Sequence, residues 1–380
     1  MKIAIICPYD YNSPGGVQTH IKDLANILEE NGHYVKIIAP GKCGESSFAS
    51  NIIFVGTSKR ICFNKTEFDI TIAWGEELKK LKKLLEDEQF DVIHFHTVWA
   101  LFISFQILHK SNCANVTTFH DTPPDTWSGK LTKIFYLQLS RILDKSLHEV
   151  IVVSRAPLGN FSKQLRQRLH IIPTFTDLSR YSPNNKPIEK YNDGKFNILY
   201  LGRLEQRKGI FILLEAFNKL LNDNGEVRLL IGGTGYLQQD IESFILKNSI
   251  SNVEMLGYIS NHDKSAYYAS CDLFCSPALY GESFGIVLVE AMASGKPVVA
   301  VANAGYSLLL QEKREYCLAE PNNIPDLYLK LKSLIENQEL RNMLGSWGVM
   351  EAKKYDINNH IEKILKIYNS AITKHQNNIN

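Results

Sequence analysis

The order of apolar and polar positions predicts an alternation of buried strands and amphipathic helices. An apolar strand at 2–7 is followed by a helix at 17–31 and a second strand at 34–39. The helix repeats apolar residues every three or four positions, whereas the strands are short continuous apolar runs. Strand, helix and strand in this order form the βαβ unit of a parallel sheet.

The rhythm continues through the first half of the chain. Residues 43–75 are irregular and rich in strand-forming residues. Further strands are predicted at 91–96, 115–120, 150–154 and 170–173, and helices at 76–88 and 130–147.

The rhythm stops at 174–195, where prolines, asparagines and Asp193-Gly194 show no periodicity, and it restarts at 196. Because about 150–200 residues make one domain, two domains are expected. We predict an α/β protein with one domain at 1–178, a linker at 179–195 and a second domain at 196–358. A helix at about 359–375 is expected to pack back on the first domain. Two doubly wound sheets would then face each other across a ligand-binding cleft.

Composition narrows the class of protein. The 380 residues are 44% hydrophobic and 22% charged, with a net charge of +2, which indicates a globular protein and argues against a nucleic-acid binder. Seven irregularly spaced cysteines indicate reduced thiols, with Cys271 and Cys275 in a core. No signal peptide or apolar run long enough to span a membrane is seen, so a cytoplasmic protein is expected.

A basic loop after the strand at 196–201 indicates an anion site. It places Arg203 and Lys208 at a helix entrance, where a guanidinium, an ammonium and backbone N–H groups can hold two phosphates. An ordinary basic surface loop is the alternative. The loop is not a P-loop, and Gly232-Gly-Thr-Gly235 lacks the full dinucleotide-binding pattern, so a nicotinamide cofactor is poorly supported.

Two features of the first half also suggest ligand contacts. Gly15 and Gly16 open a helix and let backbone approach an anion, although a plain turn would explain them as well. His120 follows a strand at its carboxyl end, where ligands bind in such sheets. His94 and His96 alternate within a strand and are expected in or beside the sheet.

The stretch from 280 to 300 carries two carboxylates, Glu282 and Glu290, in an apolar setting that demands polar partners. On one continuous helix they would lie about 12 Å apart, too far to act as an acid–base pair on one bond. They could instead hold hydroxyls at two parts of a long ligand, with the backbone at 283–286 near a phosphate. A nucleotide sugar has this chemistry.

Three motifs in order resemble glycosyltransferase family 4, whose members are retaining enzymes of the GT-B fold. They are Gly15-Gly-Val-Gln-Thr-His20, the loop Gly202-Arg203 to Lys208-Gly209, and Gly281-Glu282 to Glu290. Within the family, these segments and Thr118-Phe-His120 look most like phosphatidylinositol mannosyltransferases.

The resemblance implies a role for each matching residue. Arg203 and Lys208 would hold the donor diphosphate, Glu282 would position sugar hydroxyls, and His120 would sit beside the sugar; these four form the implied catalytic set. The implied donor-binding residues are Gly15, Gly16, Gly233, Gly257, Ile259, Lys264, Ser283, Phe284, Gly285, Ile286 and Glu290, the last binding the ribose. Implied acceptor contacts are Tyr9, Gln18 and Asp121.

The resemblance further implies transfer of a hexose with retention, without metal or other cofactor, to a lipid-linked or glycan hydroxyl. The chain departs from the family's common pattern at Thr174-Phe-Thr-Asp177 and at Thr97-Val-Trp99, which leaves the acceptor open. A nucleotide-sugar-binding module without catalysis and another GT-B enzyme, such as a sugar-nucleotide epimerase, are the alternatives.

The helix at 76–88 carries lysines beside leucines. A solvated face over a core face would explain the pattern, and peripheral attachment to the anionic inner face of a membrane is the sharper hypothesis. The lysines concerned are Lys79, Lys80, Lys82 and Lys83.

Overall fold

A computed structural model of the chain describes residues 1–12, 15–41, 51–63, 66–99, 102–120, 127–223, 225–282 and 284–379. The chain forms two compact units. The first contains Met1–Thr176 and Ile357–Asn380, and the second contains Asp177–Asp356. Each unit is built on its own parallel sheet.

The first unit has a seven-stranded parallel sheet in the order β3-β2-β1-β6-β7-β8-β9 and a separate antiparallel hairpin, β4-β5. The strands are β1 (Lys2–Ile6), β2 (Tyr34–Ala39), β3 (Ile52–Phe54), β4 (Thr57–Phe63), β5 (Thr66–Ile72), β6 (Val92–His96), β7 (Ala114–Phe119), β8 (Glu149–Val152) and β9 (Leu169–Ile171). Strands β6, β7 and β8 are buried along their whole length, as a sheet covered by helices on both faces requires.

Helices connect these strands, and the last helix of the chain packs on the same sheet. They are α1 (Gly16–Glu30), α2 (Gly75–Glu88), α3 (Ile103–Lys110), α4 (Trp127–Leu143), α5 (Lys163–Arg166) and, at the carboxyl terminus, α14 (Ile361–Ile379). Ile364, Ile367 and Tyr368 of α14 are buried in the core of this unit, which fixes the helix against the sheet.

The second unit has a six-stranded parallel sheet in the order β12-β11-β10-β13-β14-β15. Its strands are β10 (Phe196–Leu201), β11 (Val227–Gly232), β12 (Val253–Gly257), β13 (Leu273–Ser276), β14 (Val298–Val301) and β15 (Leu318–Ala319). Its helices are α6 (Ile210–Asp223), α7 (Gln238–Lys247), α8 (Lys264–Ser270), α9 (Ile286–Ala293), α10 (Ala304–Leu309), α11 (Arg314–Cys317), α12 (Ile324–Glu336) and α13 (Gln338–Ala352).

The segment predicted as a linker, 179–195, belongs to the second unit. Tyr181 and Tyr191 are buried in the core of that unit, at 8% and 4% exposure. The prolines and asparagines of the segment had suggested an open connection, but two tyrosines give it enough apolar surface to pack. The change from one unit to the other occurs at Thr176 and Asp177.

Strand order reverses once in each sheet. In the first sheet β1 lies between β2 and β6, and in the second β10 lies between β11 and β13. The chain leaves these neighbouring strands in opposite directions, which opens a crevice at their carboxyl ends. Both sheets are therefore Rossmann-like, doubly wound α/β structures.

Candidate functional site

The reversal of strand order in the second sheet brings two distant loops together. The loop after β10 contains Arg203 and Lys208, and the loop after β13 contains Glu282. Because β10 and β13 are hydrogen-bonded neighbours, both loops leave the same edge of the sheet at adjacent points. A backbone bond from Leu279 N–H to the Arg207 carbonyl, 2.8 Å, ties the loops to each other.

Glu282 lies at the centre of a network of charges. Its Oε1 accepts a hydrogen bond from the Arg207 guanidinium at 3.0 Å and another from the Lys208 ammonium. Glu205 joins the network on the other side, bonding Arg207 at 2.9 Å and Arg203 at 2.8 Å. Three cations therefore alternate with two carboxylates along these two loops.

Burial and pairing set the ionisation of this network. Burial alone would raise the pKa of Glu282, but the charges of Lys208 and Arg207 hold that pKa below its usual value. Burial lowers the pKa of Lys208, and the attraction of Glu282 offsets this only in part. A partly dehydrated ammonium of this kind interacts strongly with an incoming anion, because water screens it little.

Two glycines let the backbone around these loops come close. Gly233 has φ +137°, and a Cβ there would lie 1.8 Å from the Gly202 carbonyl oxygen. Gly285 precedes α9 with φ +105°, where a Cβ would lie 2.7 Å from the Tyr306 ring. A side chain at either position would force the loop away from its neighbour, so glycine is required by both the dihedral angle and the space.

Glu290 has its own polar partners, distinct from those of Glu282. It is 1% exposed on α9, accepts a 2.8 Å hydrogen bond from the Tyr268 hydroxyl, and pairs with the Lys264 ammonium at 3.3 Å. Burial and the nearby Glu290 charge raise the pKa of Tyr268 well above its usual value, so its hydroxyl keeps its proton. The two carboxylates of the 280–300 stretch thus belong to separate cation sites.

The other residues expected to touch a donor occupy varied settings in the second unit. Ile259 is buried at 8% exposure in the core, below Gly232, while Gly257 has φ +66° and open space beside its Cα. Phe284 packs on the Tyr355 ring at 4.8 Å, and Ile286 is half-buried at the start of α9. Ser283 lies outside the described residues.

In the first unit, three histidines gather near the carboxyl ends of β6 and β7. His96 ends β6, His120 directly follows β7, and His20 lies on α1. The His96 Nδ1 and His120 Nε2 atoms are 2.9 Å apart and share a hydrogen bond, with the two rings stacked. The His20 Nδ1 bonds the Phe175 carbonyl oxygen at 3.0 Å, and its ring meets both others edge-on.

These imidazoles are neutral at physiological pH. Burial lowers the pKa of His20 to about 4, and it lowers those of His96 and His120 well below their usual value. His94 lies next to them, and burial lowers its pKa to about 3. It also bonds the Tyr368 hydroxyl of α14 at 2.7 Å, so the last helix supports the cluster. The expectation that His94 and His96 sit in the sheet is confirmed.

Comparison with known proteins identifies the family to which this architecture belongs. The family model described as "Glycosyltransferase Family 4" matches residues 14–180, and the model described as "Glycosyl transferases group 1" matches residues 182–348. The chain belongs to glycosyltransferase family 4.

Relatives of the same length agree with this assignment. The phosphatidyl-myo-inositol mannosyltransferase of Mycobacterium leprae is 28% identical over 98% of both chains. The corresponding enzyme of Mycobacterium tuberculosis is 29% identical over 98% of this chain and 97% of its own.

Solved structures agree on the GT-B fold. The Anabaena protein HepE, in a crystal structure with UDP-glucose, has a TM-score of 0.75 at 19% identity, over 97% of this chain and 100% of its own. Sucrose-phosphate synthase from Thermosynechococcus elongatus has a TM-score of 0.74 at 19% identity, over 98% and 99% of the two chains. The chain is therefore a GT-B glycosyltransferase.

Three histidine nitrogens of this glycosyltransferase could in principle hold a metal ion, since one ligand atom from each of His20, His96 and His120 lies within 4.8 Å of the others. However, the His96 Nδ1 and His120 Nε2 atoms already bond each other. The other ring nitrogen of His96, Nε2, is buried and has no hydrogen-bond partner among the described residues, whereas metal-bound histidines normally donate the hydrogen of their second nitrogen to an oxygen. The arrangement therefore fits a role of the His96 imidazole in positioning His120 better than it fits a metal centre.

Two of the three residues expected to contact an acceptor, Tyr9 and Gln18, lie near the glycine turn at the start of α1. The Gln18 amide donates a 3.1 Å hydrogen bond to the Asp10 carbonyl oxygen, which ties the start of α1 to the loop after β1. Tyr9 is half-buried in the same loop, and its carbonyl oxygen accepts from the Cys7 thiol. Gly15 and Gly16 cap and begin α1. Asp121 lies outside the described residues.

Sequence reasoning missed several partners that the fold supplies. Arg207 and Glu205 stand in the basic loop that the sequence singled out, but nothing in the spacing distinguished them from Arg203 and Lys208. No sequence pattern pointed to Tyr268, because a tyrosine in a short helix is usually interpreted as a core residue. His96 was assigned to the sheet, and its bond to His120 was not foreseen.

The predicted membrane helix, α2, presents its lysines to solvent and its leucines to the core. Lys79 pairs with Glu76 at 2.7 Å and Lys82 with Glu86 at 3.5 Å, while Lys80 and Lys83 are exposed. Within the described ranges, no helix is both long and apolar enough to cross a bilayer.

Proposed function

We propose that this glycosyltransferase moves a hexose from a nucleoside-diphosphate sugar to a hydroxyl of a lipid-linked or glycan acceptor, with retention of anomeric configuration. The carrying observation is the pairing of Lys208 and Arg207 with Glu282 at the point where strand order reverses in the second sheet. Such a crevice is where ligands bind in doubly wound folds. Cations and a carboxylate side by side suit a ligand that carries both phosphates and hydroxyls.

Each charged residue then has a task. Lys208 and Arg203 bind the donor diphosphate, and Lys208 neutralises the charge that develops on the leaving phosphate. Glu282 accepts hydrogen bonds from sugar hydroxyls, and Glu290, held by Tyr268 and Lys264, accepts from the ribose hydroxyls. Charge-assisted hydrogen bonds of this type are the strong ones. In the first unit, His120 and the glycine turn at Gly15-Gly16 are the residues that we propose to contact substrate.

The reaction is a front-face substitution at the anomeric carbon. The bond from that carbon to the diphosphate oxygen breaks as the bond to the acceptor oxygen forms on the same face. The proton of the acceptor hydroxyl passes to the departing phosphate oxygen, so no protein base is needed. Lysine and arginine charges supply the electrostatic stabilisation, and no metal is required for it.

The relatives support the class of substrates. HepE was crystallised with UDP-glucose, and the mycobacterial relatives are named for mannosyl transfer to phosphatidyl-myo-inositol. These names favour a hexose donor and a lipid-linked acceptor for this chain. The nucleotide base and the sugar of the donor are the first properties to determine.

A donor screen tests the proposal. Thermal unfolding is followed with UDP-, GDP- and ADP-linked glucose, mannose and N-acetylglucosamine, since a ligand that binds only the native state raises its stability. The donor that stabilises the protein is then incubated with acceptors in the presence and absence of EDTA. We expect transfer with retained configuration that EDTA leaves unchanged. Binding without turnover on any acceptor would instead indicate a nucleotide-sugar-binding module, and a changed sugar without an acceptor would indicate an epimerase.

A further inference from the structure

Within the part of the chain that the structure describes, helix α4 exposes an apolar stripe that no other element covers. Four large apolar side chains on this helix face solvent, with exposed fractions of 48%, 57%, 46% and 67%. They are Leu131, Ile134, Phe135 and Ile142, which we call the α4 stripe. Single exposed apolar residues are common on proteins, but four on one helix mark a surface that contacts something.

The four side chains share one face of the helix. At about 100° per residue they fall within an arc of about 100°, the width of an amphipathic face. The opposite face is buried: Leu139 and Leu143 pack in the core of the first unit. The Ser140 hydroxyl on that side accepts a 2.8 Å hydrogen bond from the Ser162 N–H. The helix is therefore held with its apolar stripe outward.

Two basic residues, Lys130 and Arg141, line one side of the stripe at about 100° per residue. Lys130, Lys133 and Arg141 are the charged residues of α4, so the helix carries +3 and no carboxylate. Lys145, just beyond its end, adds a further exposed cation. Asp144, the first carboxylate after the helix, pairs with Arg168. Apolar side chains that reach the acyl boundary, beside cations that meet anionic headgroups, are the signature of an interfacial helix.

The sequence had suggested helix α2 as the membrane-binding helix. This helix has neither a net positive charge nor an exposed apolar stripe. Its four lysines stand against five carboxylates, so its net charge is −1. Its leucines turn inward, with Leu81 fully buried and Leu78, Leu84 and Leu85 packed against the same core.

We infer that the α4 stripe docks this protein on an anionic lipid bilayer. The charge of the helix selects this occupant, because a second copy of the chain would bring the cations beside the stripe, Lys130 and Arg141, against the same cations. Four side chains are also too few for a stable protein interface, which buries about 800 Å² per partner.

This inference deepens the proposed function, on which it rests, because it places the enzyme where a lipid-linked acceptor is found. His120 precedes the first residue of α4 by seven positions, so the chain itself holds the two within about 25 Å. A helix lying in the headgroup layer would keep the first unit beside the acceptor's membrane.

Vesicle flotation with the full chain tests the inference. The probes are vesicles of phosphatidylcholine alone and of phosphatidylcholine mixed with phosphatidylglycerol, at low and high salt. We expect wild type to float with the mixed vesicles at low salt. The double variant Ile134→Ser/Phe135→Ser should lose roughly tenfold or more of the partition coefficient, because two half-exposed side chains no longer enter the bilayer. Lys130→Gln/Arg141→Gln should lose a similar factor at low salt and less at high salt.

Matched controls separate this surface from others. Lys80→Gln/Lys83→Gln on α2 and Leu329→Ser on α12, which is 59% exposed, should float like wild type. Wild type that stays unbound at low salt, or α4 variants that float as wild type does, would overturn the inference. Self-association in wild type that the α4 variants abolish would assign the stripe to a second copy instead.

Donor-induced thermal stabilisation of the same variants keeps the two proposals distinguishable. The α4 variants should retain it in full, since none of the substituted residues is among those proposed to bind the donor. Loss of flotation with intact donor binding supports docking through α4. Flotation without any donor binding would leave docking standing and remove the proposed transfer reaction.

Discussion

Neutral histidine side chains lie at the point where strand order reverses in the first sheet. At the corresponding point of the second sheet lie charged side chains in ion pairs. His20, His96 and His120 are buried with their pKa values lowered, so they carry no charge near pH 7. Lys208 and Glu282 are partly buried, with side chains 15% and 13% exposed, yet each stays charged through the other. Of the eleven histidines in the chain, only His262 lies in the second unit.

The difference follows from what surrounds each group. A buried titratable group without an opposite charge nearby is neutral, because nothing offsets the free-energy cost of removing its charged form from water. Buried ions persist where an opposite charge and good hydrogen bonds meet them. The second unit is thus suited to hold a charged ligand, and the first to present uncharged hydrogen-bonding rings. The predictions below test this contrast from the largest expected effect to the smallest.

Loss of the central cation of the second unit should have the largest effect. Lys208→Ala is expected to lower kcat/KM for transfer about 10²–10³-fold, because one electrostatic contact to the leaving phosphate disappears. Steady-state rates with the best donor measure this. Lys219→Ala, a change at an exposed lysine of α6, should leave the rate as it is. Equal turnover in wild type and Lys208→Ala would contradict the role of Lys208.

Substitutions in the hydrogen-bonded pair His96 and His120 of the first unit should have the next largest effect. His120→Ala is expected to reduce kcat about 10–100-fold, as loss of a buried hydrogen bond would. His96→Gln should reduce kcat less and spare donor KM, because His96 acts only by holding His120 at 2.9 Å. If His96→Gln matched His120→Ala in both constants, a shared structural defect would be the better explanation, and thermal unfolding of both variants would reveal it.

The two carboxylates of the 280–300 stretch should respond differently. Glu282→Gln is expected to lower kcat, because Glu282 meets the sugar and pairs with Lys208. Glu290→Gln should instead raise donor KM about tenfold at similar kcat, since a charge-assisted bond to the ribose is lost. Initial rates over a range of donor concentrations separate the two constants. The same pattern in both variants would argue against separate tasks.

Acid should weaken the first unit before the second. The histidines have pKa values below 6.5 when folded, so the unfolded chain binds more protons and stability falls as pH drops from about 6.5 toward 4. The lowered pKa of Glu282 contributes stability above pH about 4.5 that is lost only below it.

Hydrogen exchange at pH 7, 5.5 and 4.5, corrected for intrinsic rates, distinguishes the two units. Amides of β7 should lose protection at pH 5.5 and those of β10 should keep theirs. His20→Gln, which removes one titrating ring, should reduce the difference. Equal loss in both strands would show that the histidine cluster does not set the acid response.

Much of the fold could be read from the chain. The strands at Tyr34–Ala39 and Phe196–Leu201 have the predicted bounds, because each is an apolar run between clear turn signals. The GT-B fold and family 4 followed from three motifs in order, and both are confirmed. The membrane hypothesis was placed on α2 because its lysines are plain in sequence, whereas exposure of the α4 stripe depends on which face the core covers.

The sequence alone determined the alternation of strands and helices, the glycines that allow close turns, and the family to which the chain belongs. These are local properties, set by side-chain periodicity and by backbone angles that few residues can adopt. Only the tertiary structure decided that Arg207 meets Glu282, that His96 holds His120, and that α4 faces outward. Such contacts depend on strand order, and placing β13 beside β10 joins residues 74 and 75 positions apart. No pattern along the chain records that choice, because it results from how the whole sheet buries its apolar surface.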